Sequence, residues 1–115
     1  MRMIRVTVSR SSDRRIRRVV VEGHAGYADP GEDIVCAAVS GITLGLVNST
    51  ERLLGVRVHQ ASDREGKVDC RVPEGVSPEL AERIQLLMEA MVTSLAMVAE
   101  EYPDFVQLSD SIGKG

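Results

Sequence analysis

Two pairs of side chains in this sequence could do nucleophilic or acid–base chemistry: its only histidines, His24 and His59, and its only cysteines, Cys36 and Cys70. His24 follows an apolar segment typical of a strand, and Cys36 falls in the first turn of a predicted helix. That turn has unpaired N–H groups and a partial positive charge, so a thiol there ionises more easily and a nearby imidazole can accept its proton. The same N–H groups could stabilise an oxyanion. The spacing alone leaves two readings open, a reactive pair or a structural cysteine beside a polar loop histidine.

The second pair lies in a predicted hairpin further along the chain. Cys70 is flanked by Val68 and Val72 at strand spacing, which predicts a core position, and His59 is expected on the strand surface. A metal site built from all four residues is a further alternative. The ligand spacings of 12, 23 and 11 residues fit no pairing motif, so the sequence does not favour one.

Strands and helices must bring His24 and Cys36 together. Alternating apolar residues predict strands, spacing of three and four predicts helices, and Asp33 and Ser77 are good N-caps. The predicted elements are strands 3–9 and 16–22, helix 34–54, strands 56–60 and 67–72 around a turn at 63–66, a helix from Pro78 to about Tyr102, and a short strand 105–108. The order ββαββαβ predicts a two-layer α+β fold: a mixed or antiparallel sheet, a central buried helix and a second amphipathic helix.

Length and composition limit the possible classes. With 115 residues, 43% of them apolar, the chain is long enough for one packed domain, predicted at 1–110, with a polar C-terminal tail at 111–115. Two cysteines cannot form a disulfide scaffold. A net charge of −3 and only three aromatic residues argue against a protein that coats or stacks on nucleic acid.

No apolar segment of signal-peptide type follows the N-terminus, and the most apolar stretch, 34–47, is shorter than the roughly 20 residues of a membrane span. We therefore expect a cytoplasmic protein with reduced thiols and no membrane contact. Residues 1–18 carry seven arginines against Asp13 alone. They could face RNA, but a solvated hairpin that partly pairs with the acidic C-terminal helix is favoured, so direct nucleic-acid binding is not expected.

The predicted helix 34–54 is apolar on most sides, which indicates burial or a contact between subunits. Ala37, Gly41 and Gly45 lie four residues apart on one face. Each glycine costs about 1 kcal/mol relative to alanine inside a helix. Close approach of another backbone would explain that cost, and glycines that are merely tolerated are the alternative.

Two motifs together are more specific than any single residue. Gly23-His24-Ala25 is followed by Asp33-Ile34-Val35-Cys36-Ala37, with Ser40 and Asn48 later in the helix and Glu100-Glu101-Tyr102 before the last strand. In these motifs, in length and in element order, nearly the whole chain resembles the ribosomal-processing cysteine proteases of bacteria.

The resemblance implies a small cytosolic cysteine endopeptidase. Members remove the N-terminal extension of a large-subunit ribosomal protein, number twenty-seven, as part of ribosome maturation. They cut after an aromatic pair and before a small residue. The resemblance also implies a homodimer and the absence of any metal or organic cofactor.

The resemblance further implies roles for single residues. Cys36 matches the nucleophile, and His24 matches its general base, later the acid that protonates the leaving amine. Asp33 matches a family aspartate that could cap the helix, orient His24, or do both. Asp29 and Glu32 remain alternative candidates for a third catalytic group.

Ser40 matches a family serine that could line the pocket or bond back to the preceding carbonyl. The loop between His24 and Cys36 is mobile in the family, which predicts Gly26 and Gly31 as hinges, with an ordinary surface loop as the alternative. The rival to the protease as a whole is a non-enzymatic, dimeric ribosome-assembly or RNA-associated interaction module. In that reading the apolar central helix would serve dimerisation only, and Cys36 would show ordinary thiol reactivity.

Overall fold

A computed structural model of the chain describes residues 2–29, 32–61 and 65–113. Its elements follow the predicted order. They are β1 (Ile4–Arg10), β2 (Ile16–Gly23), α1 (Ile34–Leu54), β3 (His59–Gln60), β4 (Lys67–Arg71), α2 (Pro78–Glu101) and β5 (Val106–Ile112). The prediction of an α+β fold of order ββαββαβ is therefore confirmed.

The five strands form one mixed sheet in the order β3-β4-β2-β1-β5. The β1–β2, β2–β4 and β3–β4 pairs are antiparallel, whereas β5 lies parallel to β1. The parallel pair requires a long crossover between its strands, and the chain from β2 to α2 provides it. The first and last strands of the fold are thus neighbours at one edge of the sheet.

The core lies between one face of the sheet and the two helices. In β1 the alternate residues Ile4, Val6 and Val8 are buried, while Arg5 and Thr7 are exposed, as a half-buried strand requires. From α2, the core receives a stripe at helical spacing, namely Ile84, Met88, Met91, Val92 and Leu95. The two methionines therefore fill the core, as their spacing predicts.

Local sequence signals set the ends of both helices. The Ser77 hydroxyl accepts a hydrogen bond from the N–H of Leu80, and Pro78 occupies the first helical position, where no N–H is needed. The Asp33 carboxylate caps α1, which ends at Gly55 with φ 67°, a left-handed conformation that glycine adopts without steric cost. Both predicted helix starts are confirmed.

Two strands differ in length from the prediction. β5 runs to Ile112, so 111–112 are strand and not tail, because the strand keeps its parallel pairing with β1 as far as Arg10. Its residues Ser109–Ser111 are polar and exposed, which hides the strand from an apolar pattern. β3 contains only His59–Gln60, shorter than the predicted 56–60. Half of the predicted turn at 63–66, namely 63–64, and the end of the predicted tail, 114–115, lie outside the described residues.

The basic N-terminal hairpin is held by ion pairs within the fold. Arg10 binds both Glu89 of α2 and Asp110 of β5, at 2.7 and 2.9 Å. Three further ion pairs join the hairpin to the rest of the fold. Arg15 pairs with Glu82 of α2, Arg17 with Glu74 in the loop before α2, and Arg18 with Asp69 of β4. This confirms the prediction that hairpin charges pair with the acidic helix, and it weakens the alternative of an RNA-facing patch.

Helix α1 is buried along one face only. Val35, Val39, Thr43, Val47 and Thr50 face the core. On the other side, a Cβ placed on Gly41 or Gly45 would meet no atom of the described chain within 4 Å. Close approach of another backbone, if it occurs at these glycines, must therefore come from outside the described residues. By length and composition alone α1 could cross a membrane, but one of its faces packs against α2 and joins the hydrophobic core with strand residues.

Candidate active site

The start of α1 and the end of β2 meet at one end of the sheet. Cys36 lies in the first turn of α1, and its side chain is half-buried. The backbone N–H of Ala25, the residue after His24, donates to Cys36 Sγ at 3.3 Å. Ala25 itself is buried, which holds the chain in place after β2. The loop thus folds back as predicted and brings the Gly23-His24-Ala25 motif against the helix that carries the thiol.

His24 and Cys36 line the same two cavities. The larger, about 750 Å³, is an open groove that also includes Arg2, Asp33 and Ala37. The smaller, about 200 Å³, has mostly apolar walls, which include Ile4, Val21, Val39, Leu44 and Val68. Among the described residues no hydrogen bond joins the imidazole to the thiol, and such contacts often tighten only when substrate binds.

Asp33 uses its carboxylate on backbone amides from both sides of the loop. Oδ1 accepts from Val35 N at 3.0 Å and from Cys36 N at 2.9 Å, and Oδ2 accepts from Tyr27 N at 3.1 Å. Burial would raise the pKa of this carboxyl, but the hydrogen bonds from Cys36, Ala28 and Tyr27 outweigh burial and lower it. Asp33 therefore caps the helix and ties down the loop.

This cap corrects one expectation about the helix N-terminus. The N–H groups of Val35 and Cys36 are donated to Asp33, so they do not point freely at a bound carbonyl. Among the described contacts, the N–H group that faces Cys36 Sγ belongs instead to Ala25. Among the described contacts, the residue just after β2 and His24 is therefore the one that offers a backbone donor to the thiol.

The thiol of Cys36 also behaves differently from the expectation that its helix position eases ionisation. Burial raises its pKa above the ordinary value, and the Asp33 carboxylate raises it further through a hydrogen bond and through its charge. The Ala25 N–H opposes these effects, but it does not overcome them. In the free protein the thiol is therefore mostly protonated at neutral pH, and its use as a nucleophile requires a base.

Three aromatic rings hold the loop against the rest of the fold. The Tyr27 ring meets Phe105 and Tyr102 edge-on, with centroid distances of 5.1 and 5.8 Å. Gly26, next to it, has φ 65°, a conformation that favours glycine. Gly31, the second predicted hinge, lies outside the described residues.

Of the remaining predicted site residues, Ser40 lies at the site, whereas Asp29 and Glu32 do not. Ser40 lies one turn after Cys36 and lines both cavities, and its hydroxyl has no hydrogen bond among the described residues, so the pocket-lining reading is favoured. Asp29 and Glu32 are exposed and line neither cavity. Their positions do not support a role beside His24.

The second histidine–cysteine pair lies away from these cavities. Cys70 is buried in the core, which confirms the prediction, and burial raises the pKa of its thiol to about 12. His59 is half-buried and faces Cys70 across the β3–β4 ladder. Within residues 2–29, 32–61 and 65–113, no three His, Cys, Asp or Glu side chains gather as metal ligands would.

Two further residues of the site were not predicted. Thr43 lines the smaller cavity with a hydroxyl that is buried and has no partner in the described part of the chain. Helical spacing could have revealed it, because it follows Cys36 by two turns. Gly66 also lines that cavity and lies against the His24 ring. It comes from a different hairpin, and no local pattern connects it to the site.

Sequence comparisons find relatives over nearly the whole chain. A family model described as Cysteine protease Prp matches residues 3–107. The Ribosomal processing cysteine protease Prp of Bacillus subtilis is 33% identical over 111 residues, which cover 96% of this chain and 99% of that protein. The protein of the same name from Staphylococcus aureus strain Mu50 is 30% identical over 93% of this chain and 98% of its own length.

Solved structures agree as well. A Streptococcus mutans crystal structure superposes with a TM-score of 0.80 at 33% identity, covering 96% of both chains. The S. aureus ribosomal processing protease Prp, bound to a covalently linked product peptide, superposes with a TM-score of 0.77 at 27% identity, covering 95% of this chain and all of that one. The family match over most of the chain and these near-complete alignments show that the protein is a cysteine protease and belongs to the Prp family.

Proposed function

We propose that this protease removes the N-terminal extension of large-subunit ribosomal protein twenty-seven, with Cys36 as nucleophile and His24 as general base. The observation that carries the proposal is that these two side chains, from separate elements, line the same two cavities at the start of a capped helix. The relatives in B. subtilis and S. aureus are named as ribosomal processing proteases, which supports a ribosomal substrate here.

The chemistry needs only groups present at the site. His24 takes the proton from the Cys36 thiol, and Sγ attacks the scissile carbonyl carbon to form a C–S bond and an oxyanion. When the oxyanion collapses, the C–N bond breaks and the leaving amine takes the proton from the imidazolium. His24 then removes a proton from water, whose oxygen attacks the thioester. Collapse of this second oxyanion breaks the C–S bond and releases the product as a carboxylic acid, which loses its proton to solvent, and the cysteine sulfur recovers the other proton of the water from His24.

The Ala25 N–H is our candidate for stabilising the oxyanion. It lies 3.3 Å from Sγ, so a carbonyl carbon bonded to that sulfur would place its oxygen close to this donor. The N–H groups at the start of α1 are already donated to Asp33. The Gly23-His24-Ala25 motif would then supply both the base and the backbone donor.

The two cavities fit a peptide that crosses the thiol. We propose that an aromatic residue before the cut enters the smaller cavity, because its apolar walls and limited volume suit one such side chain. The larger groove is open enough for extended backbone, with the small residue after the cut close to Ala28 and Ala37. An S. aureus relative binds a substrate peptide in its solved structure, which supports peptide binding by this fold.

Cleavage of a synthetic extension peptide tests the proposal. A peptide that contains two aromatic residues followed by a small residue should be cut after the second aromatic residue, as followed by mass spectrometry. We expect Cys36→Ala and His24→Ala to abolish cleavage, and Cys70→Ala to retain it because Cys70 lies in the core. Turnover by Cys36→Ala, with folding verified by circular dichroism, would contradict the mechanism.

We also propose that the protein is a cytoplasmic homodimer that pairs through the exposed face of α1. Ile34 and Leu44 are exposed there by 55% and 46%, next to the open space at Gly41 and Gly45. Gly45→Arg should give a folded monomer in sedimentation experiments, because the side chain meets no atom of its own described chain. Leu86→Arg, on the exposed side of α2, is the matched control and should leave the dimer intact.

A further inference from the structure

The imidazole of His24 rests on the bare backbone of a residue from another hairpin. A Cβ placed on Gly66, just before β4, would lie 3.1 Å from Nε2 of His24 and 3.4 Å from Cε1. Contacts this short would force the ring to move by a few tenths of an ångström. The missing side chain at Gly66 is therefore what leaves room for the imidazole.

The backbone holds Gly66 firmly in that place. Its φ of 72° lies in the left-handed region, which other residues adopt at a cost. Its carbonyl accepts a hydrogen bond from the N–H of Gly23 at 3.0 Å. Because Gly23 directly precedes His24, this hydrogen bond fixes the backbone of His24 relative to Gly66, the residue that its ring contacts.

We propose that Gly66 is a positioning residue for the protease reaction: its backbone is the seat that sets the depth and tilt of the His24 ring beside Cys36. The inference rests on the proposed role of His24 as general base. All three residues line the smaller cavity, so a displaced ring would change the path of the proton from Sγ. Proton transfer needs hydrogen-bonding geometry, which a shift of this size disturbs.

A matched pair of variants separates this contact from backbone strain. Gly75 has φ 74°, almost the same as Gly66, but a Cβ there meets nothing within 4 Å in the described chain. Gly66→Ala and Gly75→Ala therefore impose a similar strain at φ, and only the first touches the histidine. We expect Gly66→Ala to lower kcat about tenfold with KM within about twofold, and Gly75→Ala to stay within about twofold of the parent.

A spectroscopic measurement tests the seat without relying on activity. The chain has only two histidines, so their Cε1–Hε1 signals are readily distinguished by NMR. We expect Gly66→Ala to shift the His24 signal and to leave that of His59 in place, while Gly75→Ala moves neither.

Several outcomes would overturn the inference. An unmoved His24 signal would remove the seat, and equal kcat losses in the two alanine variants would assign the effect to strain. A moved signal with unchanged kcat would reject the positioning role, while His24→Ala tests the histidine itself independently. If Gly66→Ala does not fold, Gly66→Asn with Gly75→Asn repeats the comparison, because asparagine tolerates the left-handed region.

Discussion

The two histidine–cysteine pairs of this protein differ in what surrounds them. His59 and Cys70 are direct partners across a strand ladder, yet the thiol is only 1% exposed. His24 and Cys36 come from a strand end and a helix start, and both reach two cavities. Proximity of an imidazole is therefore not what distinguishes a candidate nucleophile. Cys36 differs from Cys70 because solvent and a peptide can reach it.

The electrostatic settings of the two thiols differ in a related way. Burial raises the pKa of both, and an adjacent aspartate raises each further. Asp69 pairs its charge with Arg18, with which it forms two hydrogen bonds, so it acts on Cys70 only at a distance. Asp33 instead touches the Cys36 backbone and the loop. Asp33 therefore links the pKa of Cys36 to the position of the loop, because its carboxylate interacts with both.

Differential alkylation tests the contrast between Cys36 and Cys70 most directly, because it measures the reactivity of each thiol. We expect iodoacetamide to modify Cys36 at a rate that rises about tenfold per pH unit until its raised pKa is reached. Cys70 should react at least about 100-fold more slowly in the folded protein, because its modification requires local opening. Peptide mass spectrometry across pH 6 to about 10 measures both rates.

The Cys70→Ala and Cys36→Ala variants identify each signal in that experiment. If Cys36 and Cys70 were labelled at equal rates both in the native protein and in urea, burial would not be what makes their reactivities differ. A Cys36 rate that is already maximal at pH 6 would contradict the raised pKa.

Removal of Asp33 should have the next largest effect. Asp33→Ala loses the helix cap, so we expect a loss of about 1–2 kcal/mol in unfolding free energy. Asp33→Asn keeps a capping oxygen and should lose less. Both remove a charge that raises the pKa of Cys36, so alkylation should shift to lower pH.

The pH dependence of stability gives an independent check on Asp33. Its folded pKa is lowered from 3.8, so its carboxylate contributes stability that is fully present above 3.8 and is lost as pH falls through the lowered value. The stability difference between the parent and Asp33→Asn should shrink in that acidic range in urea titrations. A difference that grows on acidification would refute the lowered pKa.

Two buried threonines on α1, one at the site and one outside it, differ in the hydrogen bonding of their hydroxyls. Thr50 donates its hydroxyl to the Leu46 carbonyl at 2.7 Å, whereas the Thr43 hydroxyl beside the smaller cavity has no partner among the described residues. We expect Thr43→Val to gain about 1 kcal/mol in unfolding free energy and Thr50→Val to lose about as much. Chemical denaturation measures both, and the same sign for both variants would contradict the contrast.

The smallest expected effect concerns the aromatic anchor of the loop. Tyr27→Ala removes two edge-on ring contacts from a half-exposed side chain, so we expect a loss of about 0.5–1 kcal/mol. Hydrogen exchange should quicken at the Tyr27 and Ala28 amides and stay slow at Cys70 in β4. Tyr27→Phe keeps the ring and serves as the control. Unchanged exchange in Tyr27→Ala would show that the ring contacts do not hold the loop.

The fold was predictable where burial imposes a period on the sequence. β1 alternates apolar and polar residues because one side faces the core, and the α2 stripe repeats at helical spacing for the same reason. β5 lacked that signal beyond Leu108, because its outer part is held by backbone pairing to β1 and not by buried side chains. The pairing of strands far apart in sequence has no local signature.

The site was predictable where its parts are local. The Asp33 cap and the place of Cys36 in the first turn follow from adjacent residues. The direction of the Cys36 pKa shift did not, because burial and the use of the helix amides by Asp33 depend on the folded loop. Gly66 shows the same limit, since its contact with His24 exists only after two hairpins have come together.

The parallel pairing of β1 with β5 also has a consequence for when the protease can first work. During synthesis β1 is made well before β5, so its outer edge has no partner until β5 emerges from the ribosome. The loop that carries Tyr27 leans on Tyr102 and Phe105, which are synthesised equally late. A nascent chain therefore has its thiol and imidazole long before it has the support for their loop. The packing that supports this loop is therefore complete only after β5 has been synthesised.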